Sequence, residues 1–162
     1  MTRVIGFTGY SNSGKTTVIS NLIRIFKERG LNVAVIKHAA HGYEIDTPGK
    51  DSWQHYSAGA DRVVVMGPDS ITSHRRLTER LTLRQIIEDI TEPDLILVEG
   101  FKQEVNPRIL VFRAGEQDDL IFPPGSYKAV ISDLELPIEV PRFCFDELEK
   151  VADFILDDPS SK

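Results

Sequence analysis

The chain is predicted to fold as an α/β protein of three layers, a mainly parallel sheet flanked by helices, and three observations carry that expectation. A glycine-rich loop separates a short apolar run from an amphipathic one near the N-terminus. Apolar runs of strand length then alternate with helical patterns along the chain, the arrangement that builds βαβ units. One run, residues 94–98 (DLILV), is apolar almost throughout, as a strand is when helices cover both of its faces.

Taken in order, residues 3–8 (RVIGFT) read as a first strand, rich in β-branched and aromatic side chains. Gly9, Tyr10, Ser11, Asn12, Ser13, Gly14, Lys15, Thr16 and Thr17 follow, and they fit the pattern G-x-x-x-x-G-K-[ST] without a mismatch. Residues 16–29 place Val18, Ile19, Leu22, Ile23 and Phe26 at helical spacing, and Gly30 stops that helix. Strand, glycine loop and helix is the order of the phosphate-binding loop of P-loop NTPases. Its glycines let backbone N–H groups turn towards phosphate oxygens, and the helix N-terminus adds its positive end. On this reading Lys15 reaches the β and γ phosphates and the Thr16 hydroxyl ligates Mg²⁺.

Residues 32–36 (NVAVI) form a second strand ending in Lys37-His38, and Gly and Pro mark residues 39–50 as a loop. Residues 51–60 are predicted as a short helix with Asp51 or Ser52 near its N-cap, and 62–66 (RVVVM) as a strand. Residues 70–76 are a weaker candidate for a strand beside it. Residues 83–90 form a helix with Leu83, Ile86, Ile87 and Ile90 on one face, capped by Thr82 and stopped by Pro93. After the 94–98 strand come strands at 108–112 and 128–131, separated by a Gly- and Pro-containing excursion over 114–127. A helix over 145–156 and a frayed tail over 157–162 complete the expectation. Cys144, the one cysteine, is expected to be a small buried apolar residue and cannot form an internal disulfide.

At 162 residues the chain is read as one domain. A formal net charge of −6 argues against a general nucleic-acid or anionic-membrane binder. The sequence enters a strand at once and holds no apolar run of membrane-spanning length, so the expected compartment is the cytoplasm.

In parallel sheets with helices on both faces, ligands sit beyond the carboxyl ends of the strands. That rule gathers Lys37, His38, Glu99, Lys102 and Asp133 on the rim that holds the loop. Residues 94–99 have the form of a Walker B strand whose carboxylate, Glu99 in place of the commoner Asp, can hold Mg²⁺ through water or position an attacking water. Asp46, in the loop after the second strand, is a further candidate near Mg²⁺. His38 and His41 stand three apart, but without cysteines they make a thin metal signature, and contacts to an anion are the preferred reading. Lys37, Lys50 and Lys102 together with His38 point to a second anionic group beside the nucleotide. A full guanine-selecting Asn-Lys-x-Asp motif is absent. Asp133 keeps its final carboxylate, able to accept from guanine N1 and N2, and guanine is preferred over adenine on that residue alone.

Several of these segments together resemble the MobB family of molybdopterin-guanine dinucleotide biosynthesis adapter proteins. The matching stretches are residues 7–17, 37–41 (KHAAH), 46–52 (DTPGKDS), 58–60 (AGA) and 94–102 (DLILVEGFK). The phosphate loop is generic, whereas D-x-P-G-K-D-S and L-V-E-G-F-K in this order are specific. The resemblance implies a protein that binds GTP and Mg²⁺, with weak GTPase activity at most. It implies a homodimer working with the enzyme that couples GMP to molybdopterin. Lys37, His38, Lys50 and Lys102 would then face the triphosphate or the pterin phosphate. Two competitors come from other classes. A small-molecule kinase begins with the same strand, loop and helix, and Arg75, Arg76, Arg80 and Arg84 offer a cluster for its lid. A metal-delivery GTPase would need a richer metal loop than His38 and His41 supply.

Overall fold

The computed structural model describes residues 2–44, 46–113 and 120–158, so parts of the predicted excursion (114–119) and tail (159–162) lie outside the described residues. The chain divides into two compact units, residues 1–38 with 82–162, and residues 39–81.

The first unit contains β1 (Arg3–Thr8), α1 (Lys15–Glu28), β2 (Val33–Lys37), α3 (Leu83–Glu88), β5 (Leu95–Glu99), β6 (Arg108–Val111), β7 (Ala129–Ile131), β8 (Arg142–Phe143) and α4 (Leu148–Asp157). Its strands form one sheet in the order β2-β5-β1-β6-β7-β8, and every neighbouring pair is parallel. The period-2 alternation of each strand sorts its residues between two faces. Ile5, Phe7, Leu95, Leu97, Ile109, Val111 and Ile131 meet Val18, Leu22 and Phe26 of α1 and Val151 and Ile155 of α4. Ile36, Ile96 and Val98 turn the other way, against Leu83, Ile86 and Ile87 of α3. Helices on both faces of a parallel sheet give the three predicted layers, and β5 is fully buried from Leu95 to Val98, as its composition required. Arg29 ties α1 to α4 through Glu149 at 2.6 Å and Asp153 at 2.8 Å.

Residues 120–127 are irregular apart from a 3-10 turn at Pro124–Ser126, yet Leu120, Phe122 and Tyr127 pack against Leu110, Phe112 and Val130. The Tyr127 hydroxyl accepts from the Phe122 N–H at 2.9 Å, which anchors the loop in this third cluster. At the other end, Asp157 still belongs to α4, and the Asp158 carbonyl accepts from Arg3 at 2.7 Å. Cys144 is half-buried rather than buried, because it stands in the turn between β8 and α4 where Glu147 accepts its N–H at 2.9 Å.

The second unit holds α2 (Asp51–Ser57) and the antiparallel pair β3 (Arg62–Met66) and β4 (Ile71–Arg75). Val63, Val65, Thr72 and His74 share the face that lines a cavity with Trp53 and Tyr56 of α2. Tyr56 stacks on His74 with ring centroids 3.7 Å apart, and Arg76 lies over the Tyr56 ring.

Candidate functional site

Why the loop after β1 makes a cradle follows from two of its glycines. A Cβ on Gly9 would run into the Val111 carbonyl oxygen and stand 2.7 Å from the Ser13 hydroxyl, so only glycine lets β1 turn this tightly beside β6. Gly14 takes φ +91°, in the left-handed region, and caps α1 as the loop becomes helix. The helix then starts at Lys15 with the exposed side chains of Thr16 and Thr17 at its open end. Its first N–H groups and its positive dipole end therefore face the loop.

Lys15 folds across this cradle. Its ammonium donates to the Gly9 carbonyl at 3.0 Å and the Tyr10 carbonyl at 2.5 Å. Burial holds its pKa below the ordinary 10.5, Glu99 pulls it back up, and Lys102 and Lys37 push it down. Glu99, Lys102 and Lys37, predicted to share the rim, are thus close enough to act on Lys15. Register explains one pairing: Lys37 and Glu99 sit opposite each other at the ends of β2 and β5, and their charges are 3.6 Å apart. A cavity of about 480 Å³ opens between Ser11, Asn12, Gly14, Lys15, Thr16, Thr17 and Glu99.

The lining suits a polyphosphate with its divalent cation. Ser13 is buried, and its hydroxyl has no hydrogen-bond partner, an arrangement that a ligand oxygen would complete. Thr16 and Glu99 bring hydroxyl and carboxylate oxygens to the same cavity, the hard donors Mg²⁺ prefers.

The other predicted residues fall in both units. His38 lies in the first unit, its ring 4.7 Å from that of Phe101 and its N–H donated to the Glu99 carbonyl at 2.9 Å. Lys102 is exposed, while its carbonyl accepts from buried Arg108 at 2.8 Å. Asp133 is exposed just beyond β7. Asp46 and Lys50 belong to the second unit, where both line a cavity against β3. Asp46 also accepts from the Thr47 N–H at 2.8 Å. Among the described residues no group of three or more His, Cys, Asp and Glu side chains is arranged to hold a metal ion.

Sequence reasoning passed over Arg113 and Phe145. A Cβ on Gly14 would stand 3.4 Å from Arg113 Nε and 3.5 Å from Phe145 Cε1, so both side chains border the loop. The signal was present, since Arg113 closely follows β6 and the carboxyl-end rule applies to β6 as it does to β2 and β5. The arginines proposed for a kinase lid are divided between the two units. Arg75, Arg76 and Arg80 fall in the second unit and Arg84 in the first. Arg76 donates to the Tyr56 and Ala60 carbonyls, and Arg84 pairs with Glu88 at 2.8 Å.

Parallel sheet, glycine cradle and carboxyl-end rim define an α/β protein of the P-loop type. The family model of molybdopterin guanine dinucleotide synthesis protein B matches residues 4–133, and the chain belongs to that family. It is 35% identical over 154 residues to the molybdopterin-guanine dinucleotide biosynthesis adapter protein of Haemophilus influenzae, covering 94% of this chain and 86% of the relative. The protein of the same description from Escherichia coli is 33% identical, with 97% of this chain and 93% of that one covered. A crystal structure of molybdopterin-guanine biosynthesis protein B superposes with a TM-score of 0.74 at 32% identity, over 94% of this chain and 97% of that one.

Proposed function

We propose that this chain is a GTP-binding adapter that assists the attachment of GMP to molybdopterin, with at most weak GTPase activity of its own. The observation that carries the reading is the Lys15 cradle beside Glu99, in a chain whose relatives bear the adapter name. Backbone N–H groups of residues 9–17 and the Lys15 ammonium hold the triphosphate, and the Ser13 hydroxyl finds its missing partner there. Thr16 and Glu99 would hold Mg²⁺, which would supply positive charge to the triphosphate. Lys37 and Lys102 face the phosphates or the pterin phosphate as cations, and His38 supports that rim.

Support for a homodimer comes from the hairpin, where Val64, Met66 and Ile71 are 53%, 81% and 69% exposed. A second copy is the occupant that would cover them, and Met66→Glu should then turn a dimer into a monomer by light scattering. No helix among the described residues is long and apolar enough to cross a membrane.

Weak hydrolysis follows from the cations available. Efficient phosphoryl transfer uses the bidentate fork of an arginine; here Lys37 and Lys102 supply point charges, and Arg113, the arginine that borders the loop, is stacked on Phe145. The purified protein should hydrolyse GTP at about 10⁻⁴–10⁻² per second, the range of unassisted P-loop GTPases. Turnover of tens per second by the protein alone, with water or any phosphoryl acceptor, would overturn the adapter reading in favour of a kinase.

A further inference from the structure

The sheet runs on from the loop through β6, β7 and β8, and the three strands are in step. Val111 stands opposite Ile131, and Ile131 opposite Phe143. Two residues beyond that level come Arg113, Asp133 and Phe145, so the rim presents a cation, a carboxylate and an aromatic ring in strand order. The Arg113 guanidinium carbon lies 4.1 Å from the centre of the Phe145 ring, across the end of the intervening strand. Both side chains also border Gly14, the residue that leads into the phosphate-binding helix.

We propose that the stacked pair Arg113–Phe145 is the platform for the purine base of the nucleotide, with Asp133 at its edge as the acceptor that favours guanine. The proposal rests on the reading of the loop as a triphosphate site, and it supplies the half of the nucleotide that the loop does not hold. Phosphates in the cradle leave the base within one nucleotide's reach of Gly14. The opposite rim, at the ends of β2 and β5, is occupied by Lys37 and Glu99, which pair with each other. The β6–β8 rim instead offers planar surfaces. A guanidinium has two faces; Phe145 covers one, and Arg113 is otherwise exposed. A base stacking on the free face gains cation–π attraction. Because Phe145 already orders the arginine, little further side-chain freedom is lost on binding. Stacking accepts any base, since every base has a π face, so selection falls to the carboxylate. Asp133 accepts from both N1–H and the 2-amino group of guanine and meets a bare acceptor at N1 of adenine.

The test compares Mg²⁺–GTP with Mg²⁺–tripolyphosphate, which has the phosphates without the base. Titrations of both are run on the intact protein, on Arg113→Ala and on Phe145→Leu, with thermal melting of each variant. Arg113 is exposed and its variant should melt with the parent, which keeps the test open even if Phe145→Leu is unstable. Loss of a stacking surface predicts GTP affinity reduced about 5- to 100-fold in each variant, with tripolyphosphate affinity unchanged. An equal loss for tripolyphosphate in Arg113→Ala would make Arg113 a phosphate ligand and overturn the platform. So would GTP affinity unaltered in Arg113→Ala. A parent protein that binds neither ligand overturns the phosphate-loop reading itself, and that outcome is distinct from the other two.

Discussion

Lys15 contributes charge to the phosphates and little to the core, for its ammonium is spent on two loop carbonyls and its stem lies at the mouth of the cradle. Lys15→Ala should therefore lower triphosphate affinity about 10-fold or more, the worth of a charge-assisted hydrogen bond, while far-UV circular dichroism stays unchanged. Titration calorimetry showing parental GTP affinity in this variant would remove the loop from the account. The same residue predicts a pH dependence. Burial leaves its pKa in the free protein below 10.5, whereas a bound triphosphate raises it. Affinity should be flat while the free lysine is charged. It should then fall as pH rises through the depressed value, because binding now requires proton uptake. Lys15→Arg, which keeps its charge there, should lack that alkaline limb. Asp133 makes a separate prediction: Asp133→Asn should weaken GTP by about 1.5–3 kcal/mol and ATP by less. Equal losses would leave Asp133 a turn residue. At this scale the phosphate cradle was legible because G-x-x-x-x-G-K-[ST] is local in sequence. Arg113 could have been placed on the same rim from its position after β6, but its meeting with Phe145 and Gly14 could not, because it depends on the side-by-side packing of α1 and α4 and the register of three strands.

Helix ends show how local chemistry fixed element boundaries. Thr82 accepts the Gln85 N–H at 3.3 Å while the Gln85 side chain accepts the Thr82 N–H at 2.9 Å, a complete capping box that starts α3. Thr82→Ala should cost about 0.5–2 kcal/mol, seen as a lower urea midpoint at unchanged slope. In α1, Phe26 is wholly buried between the sheet and α4, and Phe26→Ala should cost about 3–5 kcal/mol in the same assay. A loss below 1 kcal/mol would mean that the α1 face collapses around the cavity, against the packing described. Strands β1 and β3 coincide with their sequence reading, since each apolar run is cut off sharply, β1 by Gly9 and β3 by Gly67-Pro68. The sequence did not mark β8, because two residues carry no period. For α4 the pattern began too early. Phe145 is apolar and Asp146 suits the positive end of a helix, but the Cys144–Glu147 hydrogen bonds turn the chain first, and the helix starts at Leu148. The hairpin partner of β3 was a weak signal for a physical reason: β4 is mostly exposed, so burial imposes little alternation on it.

For the whole molecule, composition and alternation sufficed to predict a parallel sheet between helices, and strand order β2-β5-β1-β6-β7-β8 explains why one rim gathers the loop, Glu99 and Lys37. The division at residues 39–81 was not visible, because D-x-P-G-K-D-S reads as one more loop rather than as the entry to a second unit. A phosphate cradle flanked by Lys37 and Lys102, with the neighbouring Arg113 stacked on Phe145, suits holding a nucleotide more than splitting it. The most direct measurement is therefore the yield of molybdopterin guanine dinucleotide from the GMP-transferring enzyme at limiting GTP, with and without this protein. The account predicts that the parent chain raises the yield and that Lys15→Ala, folded but impaired in triphosphate binding, does not. A yield unmoved by the parent chain, or raised equally by Lys15→Ala, would contradict it.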